Sequence, residues 1–217
     1  MNAWLQKKRH AQPLRSPDMP FHYLALGDSY TIGEDVAEKA RWPVQLVEKL
    51  RSHGVAIDDP RIIAVTGWTT DELSAAMDQA HLEPSYDLVT LLIGVNNQYR
   101  GRSAGEYRVQ FHALLMRSIA LANDRPERVI VVSIPDWGVT PFGHASGREA
   151  AKISHELDVF NAIGRDETIR AGAHFVNITG ISRTHPWFVA ADGLHPSSAQ
   201  YALWTDAIEP VVRAALH

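Results

Sequence analysis

LALGDSYTIGED, residues 24–35, starts as an unbroken apolar run and then turns to a glycine, an acid and a hydroxyl. The run opens earlier, at Phe21, and shows little alternation of apolar and polar residues. A strand with one wet face alternates, whereas a strand buried on both faces does not. The stretch therefore predicts an inner strand of a parallel sheet, closed at Gly27-Asp28-Ser29. Four more runs of this kind follow: Arg61 to Thr66, Asp87 to Ile93, Arg128 to Ile134, and Ala173 to Ile178.

Helical signals fill the gaps. Pro43 suits the first turn of a helix from Trp42 to about His53. Thr69-x-x-Glu72, Ser103-x-x-Glu106 and Ser146-x-x-Glu149 are capping-box patterns. They predict helices running to about Ala80, Asn123 and Ala171-Gly172. Ser197-x-x-Gln200 opens the last helix, with Leu203, Trp204, Ile208 and Val211 assigned to one face. Strand and helix alternate to the end, so the expected architecture is one α/β domain over 21–217, with helices on both sheet faces. Residues 1–20 read as a polar tail, and the basic cluster Gln6 to His10 as a solvated arm.

Composition narrows the function classes. The chain has 217 residues, enough for a full core, and a formal net charge of -4, which does not favour a nucleic-acid surface. It has no cysteine, which excludes disulfides, thiolate nucleophiles and Cys-ligated zinc. No apolar stretch approaches the roughly 20 residues of a membrane span, and the first twenty residues lack the apolar core of a secretory signal. The expected location is cytoplasmic, without stable membrane insertion.

In open parallel sheets, ligands collect beyond the carboxyl ends of the strands. Gly27-Asp28-Ser29-Tyr30 follows the first run, Gly67 the second, and Gly94-Val95-Asn96-Asn97 the third. Asp136 to His144 follows the fourth, and Asp192-Gly193-Leu194-His195-Pro196 lies in the loop after the fifth. Acyl transfer needs a nucleophile, a base, a group to orient the base, and donors facing the developing oxyanion. Ser29 offers the hydroxyl and His195 the imidazole. Asp192, three residues before His195, could orient it. The backbone N–H groups of Ser29 and Gly67 and the Asn96 amide could serve as donors.

On these four blocks the chain resembles the SGNH/GDSL hydrolase family of esterases and lipases. The blocks fall in the family's order and cover nearly the whole domain. The resemblance implies a flavodoxin-like three-layer α/β/α sandwich with a five-stranded parallel sheet. It implies Ser29 as nucleophile, His195 as base, Asp192 as its partner, and Ser29, Gly67 and Asn96 as the oxyanion hole. It implies no cofactor, and a small-molecule ester as substrate. Thioester or lysophospholipid cleavage and sugar deacetylation stay open on the same triad, as does a catalytically silent binding module. Two positions depart from the pattern: Tyr30 stands where the family has leucine, and Asn97 where aspartate is common.

Other readings of the same residues are available. Asn96 could bond its own loop, and Asp28 could hold the turn. Asp192 and His195 could cap the last helix, or join His185 around a metal, although no further ligand completes that set. Gly101-Arg102-Ser103-Ala104-Gly105 matches the nucleophile-elbow pattern, but a polar stretch separates it from its strand. Tyr99, Trp137 and Phe142 are candidates for the substrate wall, the last two equally for core cover. Arg100 and Arg102 could meet an anionic substrate or be solvated.

Overall fold

The computed structural model describes residues 19–84 and 86–217. The tail and basic arm expected at the N-terminus lie almost wholly outside them. Each apolar run forms a strand, trimmed at its ends: β1 (Tyr23–Gly27), β2 (Arg61–Ala64), β3 (Leu88–Leu92), β4 (Val129–Val132) and β5 (His174–Val176). All neighbours pair in parallel, in the order β2-β1-β3-β4-β5. Every residue of β1, β3 and β4 is buried, which explains their lack of alternation.

Nine α-helices are present among the described residues: α1 (Ser29–Ile32), α2 (Trp42–Ser52), α3 (Thr70–Gln79), α4 (Val95–Tyr99), α5 (Ala104–Leu121), α6 (Pro141–Ala145), α7 (Ala150–Arg170), α8 (Thr179–Thr184) and α9 (Ser198–Leu216). The chain moves one way across the sheet from β1 to β2, then reverses through β3, β4 and β5. Right-handed crossovers place the helices of these two directions on opposite faces. Accordingly α2 packs with α9, while α5 packs with both α3 and α7. This is the three-layer α/β/α sandwich with a five-stranded parallel sheet that the resemblance implies.

Local chemistry sets the helix starts. Thr69 and Glu72 form the full reciprocal capping box of α3, and Ser103 caps α5 by accepting from the Glu106 N–H at 3.1 Å. That role accounts for the elbow-like Ser103. Ser146 does not start a helix. Its hydroxyl donates to the Gly143 carbonyl at 2.6 Å at the end of α6, and α7 begins four residues later, after Glu149. In α9 the buried stripe is Tyr201, Trp204, Ile208 and Val212, with Leu203 and Val211 only partly covered. The stripe is rotated from the expected one because α9 packs on α2 and on β5 together. Pro210 sits on the exposed side of α9.

Gly27 joins the sheet to the site. A Cβ there would lie 2.2 Å from Thr31 Oγ1 and 2.6 Å from the Leu92 carbonyl oxygen. Only a glycine lets α1 fold back at once against β1 and β3. The strand therefore ends with the next two residues, Asp28 and Ser29, at the sheet's carboxyl edge. The strand order reverses beside β1, where an open α/β sheet leaves its crevice.

Candidate active site

Ser29 is the first residue of α1 and is 4% exposed. Its hydroxyl makes no hydrogen bond among the described residues, and it faces a cavity of about 230 Å³. That cavity is also lined by Gly67, Asn96 and His195. Residues far apart in the chain thus meet at one opening, where the resemblance assigned them.

The His195 loop is built to hold one imidazole orientation. Asp192 Oδ1 accepts the backbone N–H groups of Leu194 at 2.8 Å and His195 at 3.0 Å. Its other oxygen, Oδ2, lies 2.5 Å from His195 Nδ1. Gly193, in the left-handed region at φ 70°, makes the bend, and its carbonyl accepts from the Phe142 N–H at 3.0 Å. Asp35, at the end of the opening stretch, accepts the Asp192 N–H at 3.1 Å. Partial burial works against charge on Asp192. The bonds from His195 and from the two backbone N–H groups outweigh it and hold the carboxyl below its ordinary pKa. A charged Asp192 fixes the proton of neutral His195 on Nδ1 and leaves Nε2 free to accept. No direct bond joins Ser29 to His195 here, and such bonds commonly tighten only when substrate is present. Asp192 and His195 do not cap α9; Ser197 does.

Three candidate donors belong to residues that line the cavity. The backbone N–H groups of Ser29 and Gly67 have no acceptor among the described residues. Asn96 Nδ2 gives one hydrogen to the Trp68 carbonyl at 2.9 Å, which orients the amide and leaves its second hydrogen available. Asn97, where the third block departs from the family's pattern, is fully buried. Its Oδ1 accepts the Thr70 N–H at 3.1 Å and its Nδ2 donates to Thr70 Oγ1 at 2.7 Å. The second bond needs a donor, which an ionised aspartate lacks.

The walls resolve the aromatic candidates. Tyr99, Trp137 and Phe142 all line the cavity. Trp137 also belongs to the core, at 2% exposure, and its indole N–H donates to Gln98 Oε1 at 2.9 Å. Tyr99 stands edge-on to the Trp137 ring, with centroids 5.5 Å apart. Tyr30 serves both cavity and core: it packs edge-on against the His195 ring at 5.8 Å and against Trp204 at 6.2 Å. The neighbouring arginines are engaged rather than free. Arg102 pairs with Asp71 at 2.5 Å, and Arg100 bonds Glu72 and the Gly67 carbonyl. Sequence reading did not find this engagement, because its partners lie on a different loop and helix, far back in the chain.

His185 uses its Nδ1 on Thr184 and the Ile181 carbonyl. Among the described residues, no three His, Cys, Asp or Glu side chains cluster to hold a metal. No helix among them is long and apolar enough to cross a membrane.

Asp28 holds the turn. It caps α1, accepting the Tyr30 N–H at 3.1 Å with Oδ1, while its fully buried Oδ2 has no partner. Burial raises its pKa from 3.8 to about 7, against the opposing pull of the Tyr30 bond. The folded state therefore binds more protons than the unfolded chain between these values. The stability Asp28 supplies is complete below the lower value and is lost as pH rises through the upper one. The amide introduced by Asp28→Asn cannot titrate, so the wild-type unfolding free energy minus that of the variant should fall between about pH 4 and pH 8. The expected fall is on the order of 3–4 kcal/mol in urea melts. A difference that stays flat with pH would show that Asp28 ionises as in water.

Sequence and structure comparisons bear on the family and the fold. The profile described as the GDSL-like Lipase/Acylhydrolase family matches residues 25–203. No curated protein matches the chain by sequence. Among solved structures, the psychrotrophic esterase EstA from Pseudoalteromonas sp. is 18% identical, covering 90% of this chain and 98% of its own, with a TM-score of 0.68. The lipase/acylhydrolase from Enterococcus faecalis is 20% identical over 89% and 96%, with a TM-score of 0.67. The acetylxylan esterase Axe2 from Geobacillus stearothermophilus is 17% identical over 89% and 94%, with a TM-score of 0.69. At such identities the structural likeness speaks for the fold alone. The family match spans most of the chain, from within β1 into α9 and across all four blocks, and on it the chain belongs to the GDSL-like lipase/acylhydrolase family.

Proposed function

We propose that this hydrolase is a serine esterase that cleaves small carboxylic esters through an acyl-enzyme. The observation that carries the reading is convergence. A serine free of other bonds, an imidazole oriented by a carboxylate, and three uncommitted donors line one cavity. Ser29 Oγ attacks the ester carbonyl carbon while His195 Nε2 takes its proton. The carbonyl oxygen gains charge and rests on the N–H groups of Ser29 and Gly67 and on the Asn96 amide. The tetrahedral adduct collapses, the C–O bond to the alcohol breaks, and His195 returns the proton to the leaving oxygen. Water then attacks the acyl carbon and gives a proton to His195; the acyl bond to Ser29 Oγ breaks, His195 returns that proton to Ser29 Oγ, and the acid leaves.

Size supports short substrates. The cavity of about 230 Å³ has room for a short acyl group beside the ester, between Tyr99, Trp137 and Phe142. Hydrolysis of nitrophenyl acetate and butyrate is expected to exceed that of the dodecanoate by about tenfold or more in kcat/KM, since each misplaced methylene costs a factor of several. A fluorophosphonate probe should add one mass increment, mapped to the peptide carrying Ser29. Label on another residue, or no label where a reference serine hydrolase reacts, would overturn the assignment.

A further inference from the structure

We propose that Arg100 is a positioning residue that holds the Gly67 amide toward the oxyanion; this rests on the esterase reading above. Gly67 has φ 88°, a left-handed conformation, and no side chain to fix it. Its N–H belongs to the peptide linking Thr66 to Gly67, and a peptide ending in such a glycine can rotate readily. A donor that turns away from the cavity stabilises nothing. What prevents the rotation lies on both sides of that peptide. Upstream, the Thr66 hydroxyl donates to the Glu34 carboxylate, from the same stretch that carries Ser29. Downstream, Arg100 Nη2 donates to the Gly67 carbonyl at 2.7 Å.

The guanidinium is itself fixed. Its Nη1 reaches both oxygens of Glu72, each at 3.3 Å. Glu72 Oε2 in turn accepts the Thr69 N–H at 2.8 Å. Between these bonds, the Trp68 carbonyl accepts from Asn96. The loop from Thr66 to Thr69 is thus held at every residue. Two of the holding groups, Asn96 and Arg100, come from α4 and the residue that ends it. They stand one helical turn apart and so share a face. That turn therefore presents an oxyanion donor and also locks the loop that supplies another. The planar fork of arginine bonds two acceptors at once, which a lysine ammonium on its flexible stem does not reproduce.

The test compares Arg100→Met, Arg100→Lys and Asn96→Ala with the wild type on a nitrophenyl ester, together with the affinity of a boronic acid that forms a tetrahedral adduct on serine. Losing a whole donor typically costs about 10²–10³ in rate, so a donor that spends part of its time misdirected should cost less, about 30-fold in kcat for Arg100→Met. KM should move by less than about twofold, because the lost interaction belongs to the transition state. Boronate affinity should fall in step with kcat, and Arg100→Lys should recover part of both. Unchanged kcat and boronate affinity in Arg100→Met, with Asn96→Ala impaired, would overturn the proposal and leave the esterase reading standing. A loss of kcat that tracks only the fraction unfolded would also overturn it. If Asn96→Ala keeps full boronate affinity as well, the oxyanion assignment itself fails.

Discussion

Ser29→Ala is expected to lower kcat by about 10⁴–10⁶ while leaving the fold and substrate affinity nearly intact. Removing the hydroxyl strands no partner, because Ser29 Oγ bonds no other group among the described residues. Alanine also suits the first turn of α1. The circular dichroism spectrum and melting temperature should therefore match the wild type. Equilibrium binding of a substrate or product should change little, because the other lining groups remain. Phosphonate labelling should vanish with activity. The triad works as a unit, so adding His195→Ala to Ser29→Ala should cost little more. Turnover within about tenfold of wild type would mean that the nucleophile lies elsewhere.

Much of this arrangement is legible in the sequence, and the reason is physical. Burial on both faces leaves no polar residue in β1, β3 or β4 to obscure their pattern, apart from Thr90. Thr90 bonds the Tyr23 hydroxyl at 2.9 Å, and so satisfies its own burial. The catalytic candidates stand out because each lies beyond a strand's carboxyl end: Ser29 opens α1 after β1, Gly67 follows β2, Asn96 lies in α4 after β3, and Asp192 and His195 precede α9. The short helices do not. α1, α4, α6 and α8 run four to six residues, too few to nucleate from local propensity, and tertiary contacts hold them. Ser146 misled because its hydroxyl closes α6 rather than opening α7. Its capping pattern was present but the chain used it for another helix's end.

What no spacing could reveal is which distant group holds which loop. Glu34 and Asp35 look like ordinary surface acids after a glycine. In the structure they reach the Thr66 hydroxyl and the Asp192 N–H, so the turn that carries Ser29 ties down the loops on either side of it. Arg100 reads more readily as solvated than as a substrate contact, whereas its guanidinium is spent on Glu72 and the Gly67 carbonyl. These interactions depend on the reversal of strand order at β1, which brings the ends of β1, β2 and β3 side by side. A site assembled at such a point draws its chemistry from local motifs and its rigidity from contacts between them.

Asp192→Asn separates orientation from proton affinity, and is expected to lower kcat by about 10³–10⁴. The new side-chain amide can keep its carbonyl oxygen on the N–H groups of Leu194 and His195, so the turn around Gly193 survives. Its nitrogen then faces His195 Nδ1 and donates to it. The imidazole must carry its proton on Nε2, the nitrogen that should accept from Ser29, and the base is lost through the wrong tautomer. The stability cost should be small, about 1–2 kcal/mol, the difference between a charged and a neutral bond at a partly exposed site. Because the native carboxyl titrates below its ordinary value, its contribution to stability is present above that ordinary value and is lost as pH falls through the folded one. The stability gap between wild type and Asp192→Asn should accordingly close on acidification, opposite in sign to the behaviour expected of Asp28. Activity in the variant should rise steadily toward alkaline pH, where hydroxide can take the serine proton in place of the missing base, instead of reaching the wild-type plateau. A variant that keeps kcat within about tenfold of wild type, with an unchanged pH profile, would show that His195 is oriented by something other than Asp192.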